Sequence, residues 1–241
     1  MKLAIDLHIH SGLSPCADIS MTPNNIVNMA RLKGLDVIAI TDHNSTKNLR
    51  TTWEIARKTD IIFVPGVELT TKEEVHVVCL FDSLEKAEYF QQVLDKNIVN
   101  IKNRVDVFGH QHIYNINDEI VDEYELMLMN ATELSLENAI MQVKELNGVL
   151  IPAHIDRNSF SILSNLGFIS PELEISTVEI SNNCNYDELE KKHPYLNKYR
   201  KIVNSDAHVL GDILERTSFI EVEKKNAKSV LKKFKKGMSC I

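Results

Sequence analysis

The sequence predicts an α/β fold closed into a single compact barrel, and three observations predict it. Short β-type apolar runs recur along the chain, helical patterns fill most gaps between them, and seven or eight such units fit within 241 residues. Strands alternating with helices imply a parallel sheet. Composition agrees with one soluble globule, since 44% of residues are apolar, 25% are charged, and only 8 Gly and 6 Pro occur. These values exclude collagen, low-complexity disorder and disulfide-stapled miniproteins.

The expected strands, each ending in polar residues, fall at 2–6, 36–41, 61–67, 75–81, 149–153, 177–181, 201–205 and 217–222. The clearest helix opens at Thr22-Pro23, an N-cap followed by proline in the first turn, and stops at Gly34. A second opens near Ser135, carries Leu136, Ala139, Ile140, Val143 and Leu146 on one face, and stops at Gly148. A last helix repeats Ala227, Val230, Leu231 and Phe234 at helical spacing and stops at Gly237, with Lys224, Lys225, Lys228, Lys232, Lys233, Lys235 and Lys236 facing water. One stretch, 82–134, breaks the rhythm. It holds a helix-like segment and then a hairpin turning at Asn117-Asp118, an insertion placed where substrate-selecting lids sit on barrels. The whole of 1–241 is expected to be one domain.

The formal net charge of −7 argues against a protein that coats nucleic acid. No run of about 18 apolar residues can span a membrane. The N-terminus meets Asp6 too soon for a secretory signal. The expected compartment is therefore the cytoplasm, with Cys16, Cys79, Cys184 and Cys240 as thiols.

Asp6-Leu7-His8-Ile9-His10 alternates at the end of the first strand, and period two places both imidazoles on one face. Neutral imidazole is a ligand for zinc, iron or manganese. The pattern recurs at later strands. Thr41-Asp42-His43-Asn44 follows the second, Glu68 closes the third, His76 lies in the fourth, His154 follows the fifth, and Asp206 and His208 follow the seventh. Six of the nine histidines belong to this set. Burying so many titratable groups together costs several kcal/mol unless a metal resolves the repulsion.

Asp6-Leu7-His8-Ile9-His10-Ser11, Thr41-Asp42-His43, His154 and Ser205-Asp206-Ala207-His208, in this order, resemble the motifs of the PHP (polymerase and histidinol phosphatase) domain family, and the resemblance runs end to end. It implies a distorted (β/α)7 TIM-like barrel with two or three divalent ions (zinc, manganese or iron) at the C-terminal face of the strands. By the same resemblance, His8, His10, Glu68 and Asp206 hold one ion. Glu68 bridges to a second with His76 and His154. A third rests on His43, His208 and a residue of the first loop, for which Asp18 stands in place and Cys16 competes as a soft ligand. His76 sits near the start of its strand, unlike the others.

The implied chemistry is phosphoester hydrolysis by a hydroxide bridging two ions. Asp206, His208 and Arg157 are the expected catalytic residues, and the Arg157 fork suits two phosphoryl oxygens. Arg216 and Lys47 are further cationic candidates. Asp6 and Asp42 are either acceptors that orient imidazoles or strand-end caps. Glu179 either touches substrate or is a buried partner for a cation. His110-Gln111-His112 matches no motif of the family and reads as a surface hairpin or lid contact, while His193 ends a charged helix.

The expected activity is that of a stand-alone phosphatase acting on a small phosphate monoester or nucleotide. The alternatives are a polymerase-associated nuclease, with nucleic acid as partner, and a non-catalytic metal-holding regulatory module. An amidohydrolase is the weaker case, since that superfamily bridges its metals with a modified lysine where this chain offers Glu68.

Overall fold

The computed structural model of the chain describes residues 1–235, so Lys236, Gly237 and Cys240 of the sequence reading lie outside the described residues. In chain order the elements are β1 (Lys2–Ile9), α1 (Pro23–Leu32), β2 (Val37–Ile40), α2 (Leu49–Ala56), β3 (Ile62–Thr70) and β4 (His76–Leu80). There follow α3 (Leu84–Asn97), α4 (Val105–Phe108), β5 (His112–Tyr114), β6 (Ile120–Glu123), α5 (Leu136–Glu145) and β7 (Val149–Pro152). The chain continues through α6 (Ile162–Leu166), β8 (Thr177–Ile180), α7 (Tyr186–Lys192), β9 (Arg200–Val203), β10 (Phe219–Glu221) and α8 (Ala227–Lys232).

The main sheet has the order β10-β1-β2-β3-β4-β7, and β8 pairs with β9 in a separate parallel ladder. Strands β1, β2 and β3 are parallel, but β4 runs antiparallel to both β3 and β7, and β10 is antiparallel to β1. The α/β class holds, whereas the all-parallel barrel does not. Among the described residues the curled sheet is not closed by continuous ladders. Isolated bonds bridge its flanks: Ile155 N–H donates to the Glu179 carbonyl at 2.9 Å, His10 N–H to the Ala207 carbonyl at 2.9 Å, and Ala207 N–H to the His8 carbonyl at 3.3 Å.

Two apolar clusters sandwich the sheet. Leu3, Ile5 and Leu7 of β1 pack with Val64, Val78, Ile151 and Ile202, and α8 adds Val230 and Leu231 to that cluster, with Phe234 just beyond it. The opposite face packs Ile38, Ile40 and Val77 against Ile26, Val27 and Ala30 of α1 and Phe90 of α3. Ile9 belongs to this second cluster although Leu7 belongs to the first. The β1–β2 register shifts between Asp6 and Ile9, an irregularity that turns the strand end and re-aims its side chains.

The helix caps follow the sequence. The Thr22 side chain accepts from Asn25 N–H with Pro23 in the first turn, and the Ser135 side chain accepts from Asn138 N–H. Gly34 takes φ +72° after α1. At the end of α5 the left-handed residue is Asn147, at φ +53°, rather than Gly148. Gly148 serves a close approach instead, because a Cβ there would lie 2.9 Å from the Leu80 carbonyl oxygen and 2.8 Å from Val143 Cγ1. Gly148→Ala is expected to destabilise the fold by about 1–3 kcal/mol, the cost of overpacking against backbone, read as a lowered urea midpoint.

Within 82–134, helix α3 is core, with Leu84, Ala87, Phe90 and Leu94 buried. The hairpin β5–β6 turns through Asp118 at φ +62°. It is fastened to the first loop and to α2: His112 N–H donates to the Gly12 carbonyl at 2.8 Å, and Tyr114 N–H to Asn48 Oδ1 at 3.0 Å.

Candidate metal centre

Glu68, buried on β3, is the hub of the site. Its Oε1 lies 3.3 Å from His8 Nε2, 2.9 Å from His76 Nδ1 and 3.3 Å from His154 Nε2, while its Oε2 lies 2.9 Å from His43 Nδ1 and 3.4 Å from His10 Nε2. His8 and His10 come from the end of β1, His43 from the turn after β2, His154 from the turn after β7, and Asp206 and His208 from the turn after β9. His76 opens its strand yet reaches the same cluster. Because β4 is antiparallel, the pair Thr70↔His76 places its beginning beside the end of β3.

Buried partners fix the imidazoles. His8 Nδ1 lies 3.0 Å from Glu179 Oε1, so Nδ1–H donates there and the Nε2 lone pair faces inward. Glu179 also accepts from His154 N–H at 3.1 Å and from Asn204 Nδ2 at 2.7 Å. Asp42 accepts from the Ser14 hydroxyl at 2.7 Å, and Ser14 Oγ lies 2.9 Å from His10 Nδ1. Asp42 thus orients His10 through Ser14. Asp6 does not touch an imidazole: it accepts from Ser205 N–H at 3.1 Å and Leu214 N–H at 2.9 Å, which is a strand-end role.

With each Nδ1 used as a donor, the inward Nε2 atoms of His8 and His10 face each other at 3.2 Å, and Asp206 Oδ1 sits 3.3 Å and 3.0 Å from them. Glu68 Oε2 and His43 Nδ1 are buried without hydrogen-bond partners despite their closeness, as is His154 Nδ1. Lone pairs so converged require cations among them, and imidazole with carboxylate is a fitting donor set for zinc, manganese or iron. Burial works against a charged Glu68, yet the surrounding imidazoles of His76, His8 and His43 outweigh it and hold its carboxyl well below the usual range. Burial and the His208 charge push His10 well below the usual imidazole range, keeping its lone pair available. His154 at φ +29° and Asp206 at φ +52° occupy left-handed backbone, as residues at working sites often do.

The donor atoms gather in three groups: His8, His10, Glu68 and Asp206; His43, Glu68 and His76; and His10, His43 and His208. The first is the expected four-residue set. In the second, His43 stands with Glu68 and His76, while His154 joins through its contact with Glu68. Asp18 is not brought to the third group. Its carboxylate is exposed and accepts from Ser20 N–H at 2.8 Å. Cys16 of the same loop lies against His208 and His43 instead; burial opposes its ionisation, but these two imidazoles draw the thiol down to about 7.

Arg157 reaches the site, with one guanidinium nitrogen 2.7 Å from Asp206 Oδ2 and the side chain half exposed. Arg216 does not, because it bonds the Gly34 carbonyl and lies 3.2 Å from Asp36 at the far end of the strands. Lys47 is exposed. His193 caps α7, its N–H donating to the Leu189 carbonyl at 2.9 Å. Two contributors had no clear signal in the sequence. Ser14 gave none, and Phe160, whose ring stacks on His76 with centroids 4.8 Å apart, gave none either. Glu179 had one, as an acid inside the apolar run Thr177-Val178-Glu179-Ile180.

The sheet and cluster together define an α/β protein built around a buried cleft of imidazoles and carboxylates suited to divalent metal. The family model of the PHP domain matches residues 6–239, and the chain belongs to that family. An uncharacterized protein of Methanocaldococcus jannaschii is 30% identical over 118 residues, 47% of this chain and 15% of that protein. A 3',5'-nucleoside bisphosphate phosphatase of Chromobacterium violaceum is 34% identical over 79 residues, 32% of this chain and 27% of that enzyme. The lesion-specific endonuclease PfuEndoQ from Pyrococcus furiosus superposes with TM-score 0.70 at 20% identity, over 99% of this chain and 57% of that one, a likeness of fold. The chain thus spans a minor part of these two relatives and just over half of the endonuclease. No helix among the described residues is long and apolar enough to cross a membrane.

Proposed function

We propose that the chain is a metal-dependent phosphatase acting on a small phosphate monoester or nucleotide in the cytoplasm. The observation that carries this reading is the Glu68 hub, a carboxylate within 3.4 Å of five imidazole nitrogens, two of which are held lone-pair inward by buried acceptors. In this reading His8, His10, Glu68 and Asp206 hold one ion, Glu68 with His76, His43 and His154 a second, and His10, His43 and His208 a third. Ions so held would lower the pKa of water and neutralise charge developing on phosphoryl oxygens. The protein's own residues do the rest. Glu179 and the Asp42–Ser14 pair keep His8 and His10 in one tautomer, and Arg157 exchanges its Asp206 partner for the phosphoryl group. Membership in the PHP family and the likeness to a nucleoside bisphosphate phosphatase support a phosphate ester as substrate. The β5–β6 hairpin, fastened beside the first loop, is placed to select it.

The test is phosphate release from phosphomonoesters, mononucleotides, nucleoside bisphosphates and short oligonucleotides, with added manganese or zinc and again with chelator. Chelator-sensitive release from small esters supports the phosphatase. Cleavage of oligonucleotides alone replaces it with a nuclease, and no turnover by metal-loaded protein replaces it with a regulatory module. Arg157→Ala is expected to raise KM for phosphate esters about tenfold, the loss of a charge-assisted hydrogen bond worth about 1.5 kcal/mol. An unchanged KM removes Arg157 from the pocket.

A further inference from the structure

A second group of metal-ligating side chains lies outside the buried cluster, on the insertion hairpin. His110 and His112 flank Gln111 where the chain enters β5. Their rings stack with centroids 4.7 Å apart. Glu123 on the return strand is the register partner of His112, and its Oε1 lies 2.9 Å from His110 Nδ1. Ligand atoms from the three residues all fall within 4.8 Å of one another.

The scaffold beneath them is rigid. The buried Gln111 side chain donates to the Tyr124 and Leu126 carbonyls at 2.7 Å each and accepts from Leu128 N–H at 2.9 Å. His112 N–H and carbonyl are both engaged, with Gly12 at 2.8 Å and Asn48 Nδ2 at 3.1 Å. The Tyr114 hydroxyl oxygen, 3.5 Å from His112 Nδ1, can accept a hydrogen bond from Nδ1–H, which leaves the Nε2 lone pair available to a metal. These bonds fix the backbone of Gln111 and His112, and the Glu123 contact orients His110, before any ligand arrives, which lowers the ordering cost of binding.

We propose that His110, His112 and Glu123 form a separate divalent-metal site on the hairpin. Two imidazoles and one carboxylate are three protein ligands of the kind zinc, nickel or copper(II) accepts, leaving the remaining positions to water. The ion takes the place of the proton shared by His110 and Glu123, that proton passing to solvent. In doing so it clamps β5 to β6 beside the first loop. The bland account of the same contacts is a His110–Glu123 hydrogen bond that only stiffens the turn.

The two accounts separate in a metal count. Chelator-stripped protein is dialysed against zinc, and bound metal per chain is measured for the parent and for three variants. His110→Ala/His112→Ala is expected to lose about one equivalent while retaining the ions of the buried cluster. Glu123→Gln keeps a hydrogen-bond acceptor for His110 but removes the charge, and is expected to lose the same equivalent. His10→Ala, which disrupts the buried cluster, is expected to keep it. Copper(II) titrated into the parent should give a nitrogen-coordinated electron paramagnetic resonance signal that is missing in the double variant. Equal metal counts and equal copper spectra in parent, double variant and Glu123→Gln overturn the proposal. Far-ultraviolet circular dichroism identifies any variant that has lost its fold, and Glu123→Gln then decides.

Discussion

Glu68→Gln is expected to release phosphate at about a thousandth of the parental rate, about 4 kcal/mol of lost charge stabilisation at the phosphoryl group. It is also expected to bind fewer ions per chain. The change is nearly isosteric, so packing on β3 is preserved, and the side chain is buried with 1% exposure. Its effect is electrostatic. Both carboxylate oxygens meet imidazole nitrogens, His8, His76 and His154 on one and His43 and His10 on the other. An amide replaces one of these acceptors with an NH2 donor, so either the three imidazoles at Oε1 or the two at Oε2 face an NH2 group, and all five lose their shared anion. Elemental analysis and kcat at saturating manganese check this, with a melting curve to show the fold intact. Parental turnover in Glu68→Gln would remove Glu68 as the bridging residue.

The strands were legible because most of them are short apolar runs, bounded by polar residues, that lie buried on both faces of the sheet. Each of the eight β-type runs of the core became a strand, and Thr22-Pro23 and Ser135 cap helices as their chemistry dictates. Strand direction was not legible. Val75 to Phe81 has the same apolar pattern whichever way it runs, and only the tight turn after Thr70 decides for antiparallel pairing with β3. That reversal also explains His76, whose place at the start of its strand contradicts an all-parallel barrel but suits the real sheet.

The ligands were legible as a set because histidine at successive strand ends is an uncommon pattern with one economical explanation. The residues that orient them were less so. Ser14 acts between Asp42 and His10 only because the first loop folds back over β2, and nothing in Ser14-Pro15-Cys16-Ala17-Asp18 declares which member turns inward. The structure turns Asp18 out to Ser20 and leaves Cys16 against His43 and His208. Arg216 failed for a related reason: its neighbours in sequence lead back toward β10 and away from the cleft, where Asp36 and the Gly34 carbonyl hold it.

Glu179→Gln is expected to weaken metal binding about 10- to 100-fold, the usual cost of losing a group that orients a ligand. Three donors meet on this carboxylate: His8 Nδ1–H at 3.0 Å, His154 N–H at 3.1 Å and Asn204 Nδ2 at 2.7 Å. A glutamine that keeps its oxygen toward His8 and His154 turns its NH2 against the Asn204 NH2. Asn204 cannot flip to relieve this, because its Oδ1 accepts from Leu7 N–H at 2.9 Å. The opposite rotamer sets NH2 against the His154 amide. Either way His8 loses a charged acceptor at Nδ1, and the preference that keeps Nε2 unprotonated toward Glu68 and Asp206 weakens. Competition with a chelator of known affinity reads the loss directly. Activity should fall at limiting metal and recover largely at saturating metal, a split that a change in global stability does not produce. Unchanged affinity would mean that His8 is held by packing alone and that Glu179 only satisfies the backbone around it.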